Sequence, residues 1–516
     1  MKKRLSQIIT VLLLVLSIGP ALAVAMPAML DYPDHLAWMY LLTRDGTDAA
    51  NPFYQVSWTF DTNLAMELVV PPLAWWIGVA AAAKTFFLIS QLLVIGGAMA
   101  LERAVKGRLE LAPLSAAIFL YSPPFAWGFV NFEFALGVAL WAITAWLAMD
   151  GRPLFVRALV HSAFVIILFV GHLFALGIYG ATLGLHELWR MRSGRASVRK
   201  TAIVMAVLAA PAIVLLGVLL ILGHPVGDAA SETAWRFDLK PVWVFLAING
   251  YDYLLSCVGM VLLLAACCVL ARRGHLKFTA SGAWIAAGFA LLYLAMPFRL
   301  LGTAYTDMRV LTAAALIVPS FVRLSLPNMA WRRTVFFTAA GYALANLAVV
   351  WWVWLSDGSD FAALIASFDR IAKGSAVLVA DSNAPGQTGG SPPGGNPRDY
   401  PFYRAPNLAV AYANALVSSV YNYPRDRMLR SAYRQFAQPP RYLAPRIASL
   451  AAMAAGAYNN PPAYLRSWPD KYDYVYVVGP RTPNPMPLLL HELDAGSRFV
   501  LYRIDHAAKT NKADGG

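Results

Sequence analysis

The chain has 516 residues, 59% of them hydrophobic and only 14% charged, where a soluble domain carries about a quarter. Together with a mean hydropathy of +0.55, this excludes a soluble globular protein and marks a polytopic membrane protein. The net charge of +14 falls largely in short basic clusters between apolar runs, where it sets topology, and nucleic acid is not expected as a partner.

Met1-Lys2-Lys3-Arg4 precedes a first apolar span over 7–27. Basic residues hold that end in the cytoplasm, so the chain emerges outside near Met29. Ala21-Leu22-Ala23 has the form of a leader cleavage site. An uncleaved anchor is expected instead, since cleavage would remove the helix that holds Asp31 in place. The first outer loop, 28–83, carries amphipathic pieces at 36–42 and 64–82. The second contains Pro71-Pro72 and Trp75-Trp76 and is expected to lie in the headgroup interface. A full span there would put Arg103, Lys106 and Arg108 outside, against the positive-inside bias.

Further spans are predicted over 84–101, 111–129, 132–149, 158–189, 201–222, 251–271, 279–296, 310–322 and 334–355. The stretch 158–189 is too long for one crossing and reads as two that meet near Gly171-His172. The total is about eleven spans, with the N-terminus inside and the C-terminus outside. Every basic cluster, including Arg190 to Lys200, then lies on one side. Residues 1–355 form the membrane domain, and 356–516 a small outer α/β domain. Strands are predicted over 375–380, 472–478 and 499–504, a helix over 408–420, and a disordered Pro/Gly-rich loop over 384–401. Cys257, Cys267 and Cys268 share one apolar stretch without CxxC spacing, so neither a disulfide framework nor a zinc site is implied. No Walker A sequence is present, which argues against an ATP-driven pump.

Few charges remain on the outer side. Asp31 and Asp34, in Leu30-Asp31-Tyr32-Pro33-Asp34-His35, follow the first span at headgroup level, where acids are costly unless they act. Three residues apart, they share one helix face, and a carboxylate there is placed to take a proton from an attacking hydroxyl. Asp31 is the better candidate base; Asp34 is as well explained as the cap of a helix starting at His35. Arg299 and Arg309 flank a late outer loop. Their planar donor forks suit a departing phosphate, though interfacial snorkelling explains them equally. Asp307 is expected to pair with Arg309. His172, Asn131, Glu133, Lys84 and His35 are further candidates for the same outward cavity, with buried hydrogen bonding or helix capping as the plain alternatives.

These residues resemble the GT-C superfamily of membrane glycosyltransferases, which use polyprenyl-phosphate-linked sugars. The resemblance rests on the acidic pair after the first helix, the long first outer loop with Pro71-Pro72, His172 near the outer end of a middle helix, and the Arg299–Arg309 loop before an outer domain. It implies a multi-pass GT-C-like fold with Asp31 or Asp34 as catalytic base. Arg299, Arg309 and Lys84 would lie around the donor phosphate. It implies a bacterial inner-membrane enzyme of inverting type that gives a sugar to an extracytoplasmic lipid, glycan or protein acceptor. No WWD-type motif is present, so single sugars are expected rather than whole oligosaccharides. No cofactor and no divalent metal are expected. The alternatives are a flippase for a lipid-linked glycan, which needs polar residues and broken helices at the membrane midplane, and a non-catalytic envelope scaffold. The enzyme is favoured because the polar residues gather at one face.

Overall fold

The computed structural model describes residues 3–58, 60–222, 233–300, 303–382, 398–420, 427–439, 443–458 and 460–506. Two compact units are present. One comprises Met1–Ala23, Phe60–Val69 and Lys84–Trp352; the other comprises Val24–Thr59, Val70–Ala83 and Val353–Gly516. The expected disordered loop 384–401 lies outside the described residues except for its last four positions.

In chain order, α1 (Lys3–Ala23) is the first apolar span. α2 (Tyr32–Arg44) and β1 (Tyr54–Val56) follow in the second unit. α3 (Ala65–Ile77) has 13 residues, too few to cross a bilayer alone. It ends where Gly78 adopts a φ of +80°, a conformation that glycine takes without a steric penalty. Trp75 and Trp76 near that end are exposed.

α4 (Val79–Lys106) ends in a turn built on the buried Glu102. Its carboxylate accepts the backbone N–H groups of Glu110, Leu111 and Ala112 at 2.8, 2.8 and 3.0 Å, and the Lys106 ammonium at 2.8 Å. That satisfies orphan donors at the start of α5 (Ala112–Phe119). The continuous span expected over 111–129 is not formed. Pro123 and Pro124 open a separate short helix, α6 (Pro123–Ala126), because proline offers no N–H to continue the preceding turn. α7 (Val130–Ala148) then packs tightly on α4: a Cβ added at Gly137 would lie 2.6 Å from the Cβ of Leu93. Small residues permit this close approach of membrane helices.

α8 (Leu154–Gly171) and α9 (Leu173–Arg192) break at His172, which is extended (φ −168°, ψ 114°). α10 (Val198–Leu222), α11 (Lys240–Leu246), α12 (Tyr253–Arg272) and α13 (Gly282–Ala295) follow. Short strands β2 (Leu276–Phe278) and β5 (Val322–Leu324) pair with each other, as do β3 (Arg299–Leu300) and β4 (Thr303–Ala304). α14 (Thr306–Ile317) continues as a 3₁₀ turn through Pro319. α15 (Met329–Ser367) runs for 39 residues, well past the expected 334–355, with no proline to stop it.

Among the described residues seven helices, α1, α4, α7, α8, α10, α12 and α15, are long and apolar enough to cross a membrane. The chain is a multi-pass membrane protein. Of the other four expected spans, α9 reaches 20 residues with arginines in its last turn, and the rest are shorter helices. Buried polar pairs tie the first unit together. Asn249 donates to Asn346 at 2.7 Å, and Asn346 to the Ile118 carbonyl at 3.0 Å.

The second unit holds a five-stranded sheet of order β10-β11-β9-β6-β7, from β6 (Ala376–Asp381), β7 (Leu416–Val417), β9 (Tyr474–Val478), β10 (Leu490–Ala495) and β11 (Phe499–Ile504). β6 pairs in parallel with β7 and β9, and all six of its residues are buried, as its apolar run requires of a central parallel strand. The three predicted strands are thus present. The helix expected over 408–420 is not: α17 (Ala409–Tyr412) ends before Asn414 (φ +51°), and Leu416–Val417 joins the sheet. Sheet pairing overrides the local helical spacing. α16 (Tyr400–Tyr403) precedes α17. β8 (Arg427–Leu429) pairs with β1, and α18 (Ile447–Ala454) and α19 (Trp468–Lys471) complete the unit.

Candidate functional site

In the second unit, α2 begins at Tyr32, three residues before the expected start at His35, with Pro33 in its first turn, where the missing N–H costs nothing. Asp34 therefore lies inside the helix and is not its cap. Asp31 takes the cap position in a helical conformation (φ −90°, ψ −9°), and its side chain makes no capping bond. Asp34 is 5% exposed. Its Oδ1 accepts from Asn407 Nδ2, and Arg404 Nε lies 3.5 Å from Oδ2. Asn407 Oδ1 accepts from the Ser419 hydroxyl, and Arg404 Nη1 donates to the Ser419 carbonyl at 3.1 Å. Asp34 thus fastens α2 to the segments on either side of β7. Asp31 and His35 are only half-buried, and the His35 N–H donates to the Asp31 carbonyl at 3.0 Å.

In the first unit, two predicted residues 137 positions apart meet. Arg309 Nη1 lies 3.2 Å from His172 Nε2. The Arg309 guanidinium carbon stands 4.5 Å from the Phe129 ring centre, 5.4 Å from Phe132 and 6.0 Å from Phe174. Aromatic faces attract a cation and leave little room for its rotation. His172 Nδ1 also accepts from the Phe174 N–H at 3.2 Å. A neutral imidazole has one acceptor nitrogen, so it serves only one of these two donors at a time.

α14, which carries Arg309, starts after Tyr305 in a left-handed conformation (φ +59°). That is unfavourable for a bulky residue. The ring is gripped by Trp127 at 4.8 Å, Phe298 at 4.9 Å and Trp243 at 5.9 Å. Asp307 does not pair with Arg309 as expected. Its Oδ2 faces the buried Lys240 ammonium at 3.5 Å, which also donates to the carbonyls of Tyr293 at 2.6 Å and Met296 at 2.8 Å. Lys240 thereby locks the ends of α11, α13 and α14 together. Arg299 sits in β3, held to Ala234 by two backbone bonds of 2.9 and 3.0 Å, with its side chain half-buried.

Asn131 is a clamp on the start of α3. Its Oδ1 accepts the Met66 N–H at 2.8 Å, and its Nδ2 donates to the Asn63 carbonyl at 2.8 Å and to Glu67 at 3.3 Å. Lys84 donates to the Leu22 carbonyl in the last turn of α1 at 3.4 Å, where a cation meets the negative end of that helix. Glu133 is fully buried, and neither carboxylate oxygen has a hydrogen-bond partner among the described residues. No local pattern signals the Lys240–Asp307 lock, the Asn407 and Arg404 contacts to Asp34, or the left-handed Tyr305, since each partner is remote along the chain or set by backbone conformation.

No family model matches the chain, and no curated protein matches it. Among solved structures it is similar to ArnT from Cupriavidus metallidurans bound to undecaprenyl phosphate, with 13% identity, coverage of 98% of each chain and a TM-score of 0.49. The apo form of the same protein gives 13% identity, 97% and 98% coverage, and a TM-score of 0.49. The Archaeoglobus fulgidus oligosaccharyltransferase in complex with Zn and sulfate gives 9% identity, 93% and 68% coverage, and a TM-score of 0.43. These are likenesses in the course of the chain.

Proposed function

We propose that this multi-pass membrane protein is a glycosyltransferase of inverting type, moving a sugar from a polyprenyl phosphate to an acceptor hydroxyl outside the cytoplasm. Asp31 takes the acceptor proton. The freed oxygen attacks the anomeric carbon, the bond from that carbon to the phosphate oxygen breaks, and the polyprenyl phosphate leaves with the electron pair. Arg309 meets the charge that develops on the phosphate, and Arg299 assists it. His172 fixes the direction of the Arg309 fork. Asp34 orients α2, and so Asp31, through its bonds to Asn407 and Arg404.

The observation that carries this reading is the caged guanidinium. Arg309 is 5% exposed and is held by three rings and one imidazole. A cation preorganised in this way suits an anion that appears only in the transition state. Asp31, the proposed base, is a half-buried acid at a helix start that it does not cap. The test is transfer of a labelled sugar from polyprenyl-phosphate donors by the purified protein. Arg309→Lys should lose most turnover while the protein still folds. Full turnover in that variant would remove Arg309 from the role.

A further inference from the structure

At the end of the first unit that carries its largest basic cluster, a cavity of about 360 Å³ opens between the α7–α8 turn, the end of α9 and the start of α10. Five cations line it: Arg152, Arg157, Arg190, Arg199 and Lys200, with Asp150 as the one acid. Glu187 lies just behind, 3.6 Å from Arg157 and 3.7 Å from Arg190. Arg157 and Arg190 share these two carboxylates. Arg152, Arg199 and Lys200 have no ion pair among the described residues. Five cations against two acids leave an excess of three positive charges.

The floor is built rather than merely charged. Arg157 has a side chain only 7% exposed, stacked 3.9 Å above the buried Trp146 ring. Its Nε is buried without a hydrogen-bond partner among the described residues. Trp146 is itself fixed by its bond to Glu187 at 3.0 Å. The first turn of α10 adds its positive end, with Ser197 Oγ accepting the Lys200 N–H at 3.2 Å.

One wall is apolar, formed by Leu154, Ile203 and Val204. It continues onto exposed apolar side chains of α8 and α10, Phe155 at 78%, Leu159 at 63% and Ile203 at 48% exposure. A cationic pocket that opens onto a lipid-facing surface fits an amphiphile with an anionic head. We propose that this cavity binds the phosphate headgroup of an anionic phospholipid, whose acyl chains lie along α8 and α10. Under the positive-inside rule this is the cytoplasmic leaflet.

The test uses the full chain, purified and stripped of lipid, with bound phospholipid counted by native mass spectrometry. Phosphatidylglycerol should bind and phosphatidylcholine should not. Arg199→Gln/Lys200→Gln, which alters only exposed side chains, should weaken binding about 25-fold, at about fivefold per cation. Arg157→Gln should weaken it further. Arg332→Gln/Arg333→Gln removes the same charge from outside the cavity and should leave binding unchanged. Equal loss in that control, equal binding of phosphatidylcholine, or retention by Arg199→Gln/Lys200→Gln would overturn the proposal. Displacement of phosphatidylglycerol by millimolar inorganic phosphate would also overturn it, assigning the pocket to free phosphate.

Discussion

Arg309 Nη1 and His172 Nε2 stand 3.2 Å apart at the break between α8 and α9. The guanidinium is donor-only and permanently charged, so it bonds to His172 where Nε2 is bare, whereas the Phe174 N–H bonds to the ring where Nδ1 is bare. A neutral imidazole offers one bare nitrogen, so the two donors compete for it. An anion that accepts from Arg309 would leave the Nδ1 acceptor to the Phe174 N–H.

This pair should behave as a unit. Arg309→Lys keeps the charge but loses the planar fork, and is expected to reduce kcat by about 10²–10³-fold. His172→Gln should reduce it less, and the double variant should lose less than the sum of the two. Steady-state kinetics on the four proteins checks this; strict additivity would separate the two residues.

Asp34 should matter to stability before chemistry. Asp34→Asn removes the negative charge beside Arg404 and turns one of the two oxygens that face Asn407 Nδ2 and Arg404 Nε into a donor. A loss of about 1–3 kcal/mol is expected, read as a lower Tm. Asp31→Asn should leave Tm within experimental error.

The second unit should lose stability as pH rises. Asp381, at the end of β6, is 3% exposed, and its Oδ1 has no hydrogen-bond partner among the described residues. Burial pushes its carboxyl up to about 7, against the opposing pull of the Ser382 N–H and the Arg446 guanidinium. The folded value lies above the unfolded one of about 3.9. The stabilisation is therefore complete below about pH 4 and is lost as pH rises through about 7. Asp381→Asn should raise Tm at pH 8 and flatten its pH dependence between 5 and 8. An unchanged slope would show that another group titrates there.

The membrane character, the break at His172 and the central strand of the five-stranded sheet were legible in the sequence, because hydropathy and apolar runs are local signals. His172 and Arg309 were both expected to face one outward cavity, but no local pattern indicated that residues 137 apart touch. α2 was expected from His35 and starts three residues earlier, at Tyr32, because Pro33 is tolerated in a first turn. The 111–129 run was misread in the opposite sense: its hydropathy concealed the stop at Pro123-Pro124. Asn131 was legible as a helix-end residue, but its partners on α3 lie more than sixty positions away.

Catalysis should proceed without a bound metal. Charge on the departing phosphate is assigned to Arg309 and Arg299, so prolonged EDTA treatment followed by assay in metal-free buffer should leave turnover intact. Loss of activity restored by Mg²⁺ or Mn²⁺ would assign part of that work to a cation.

The most direct measurement compares Asp31→Asn with the wild type in transfer from a polyprenyl-phosphate sugar, on purified protein of equal Tm. Removal of the only proposed base predicts a fall in kcat of about 10²–10⁴-fold with donor binding retained. Turnover within a factor of two of the wild type would contradict the account.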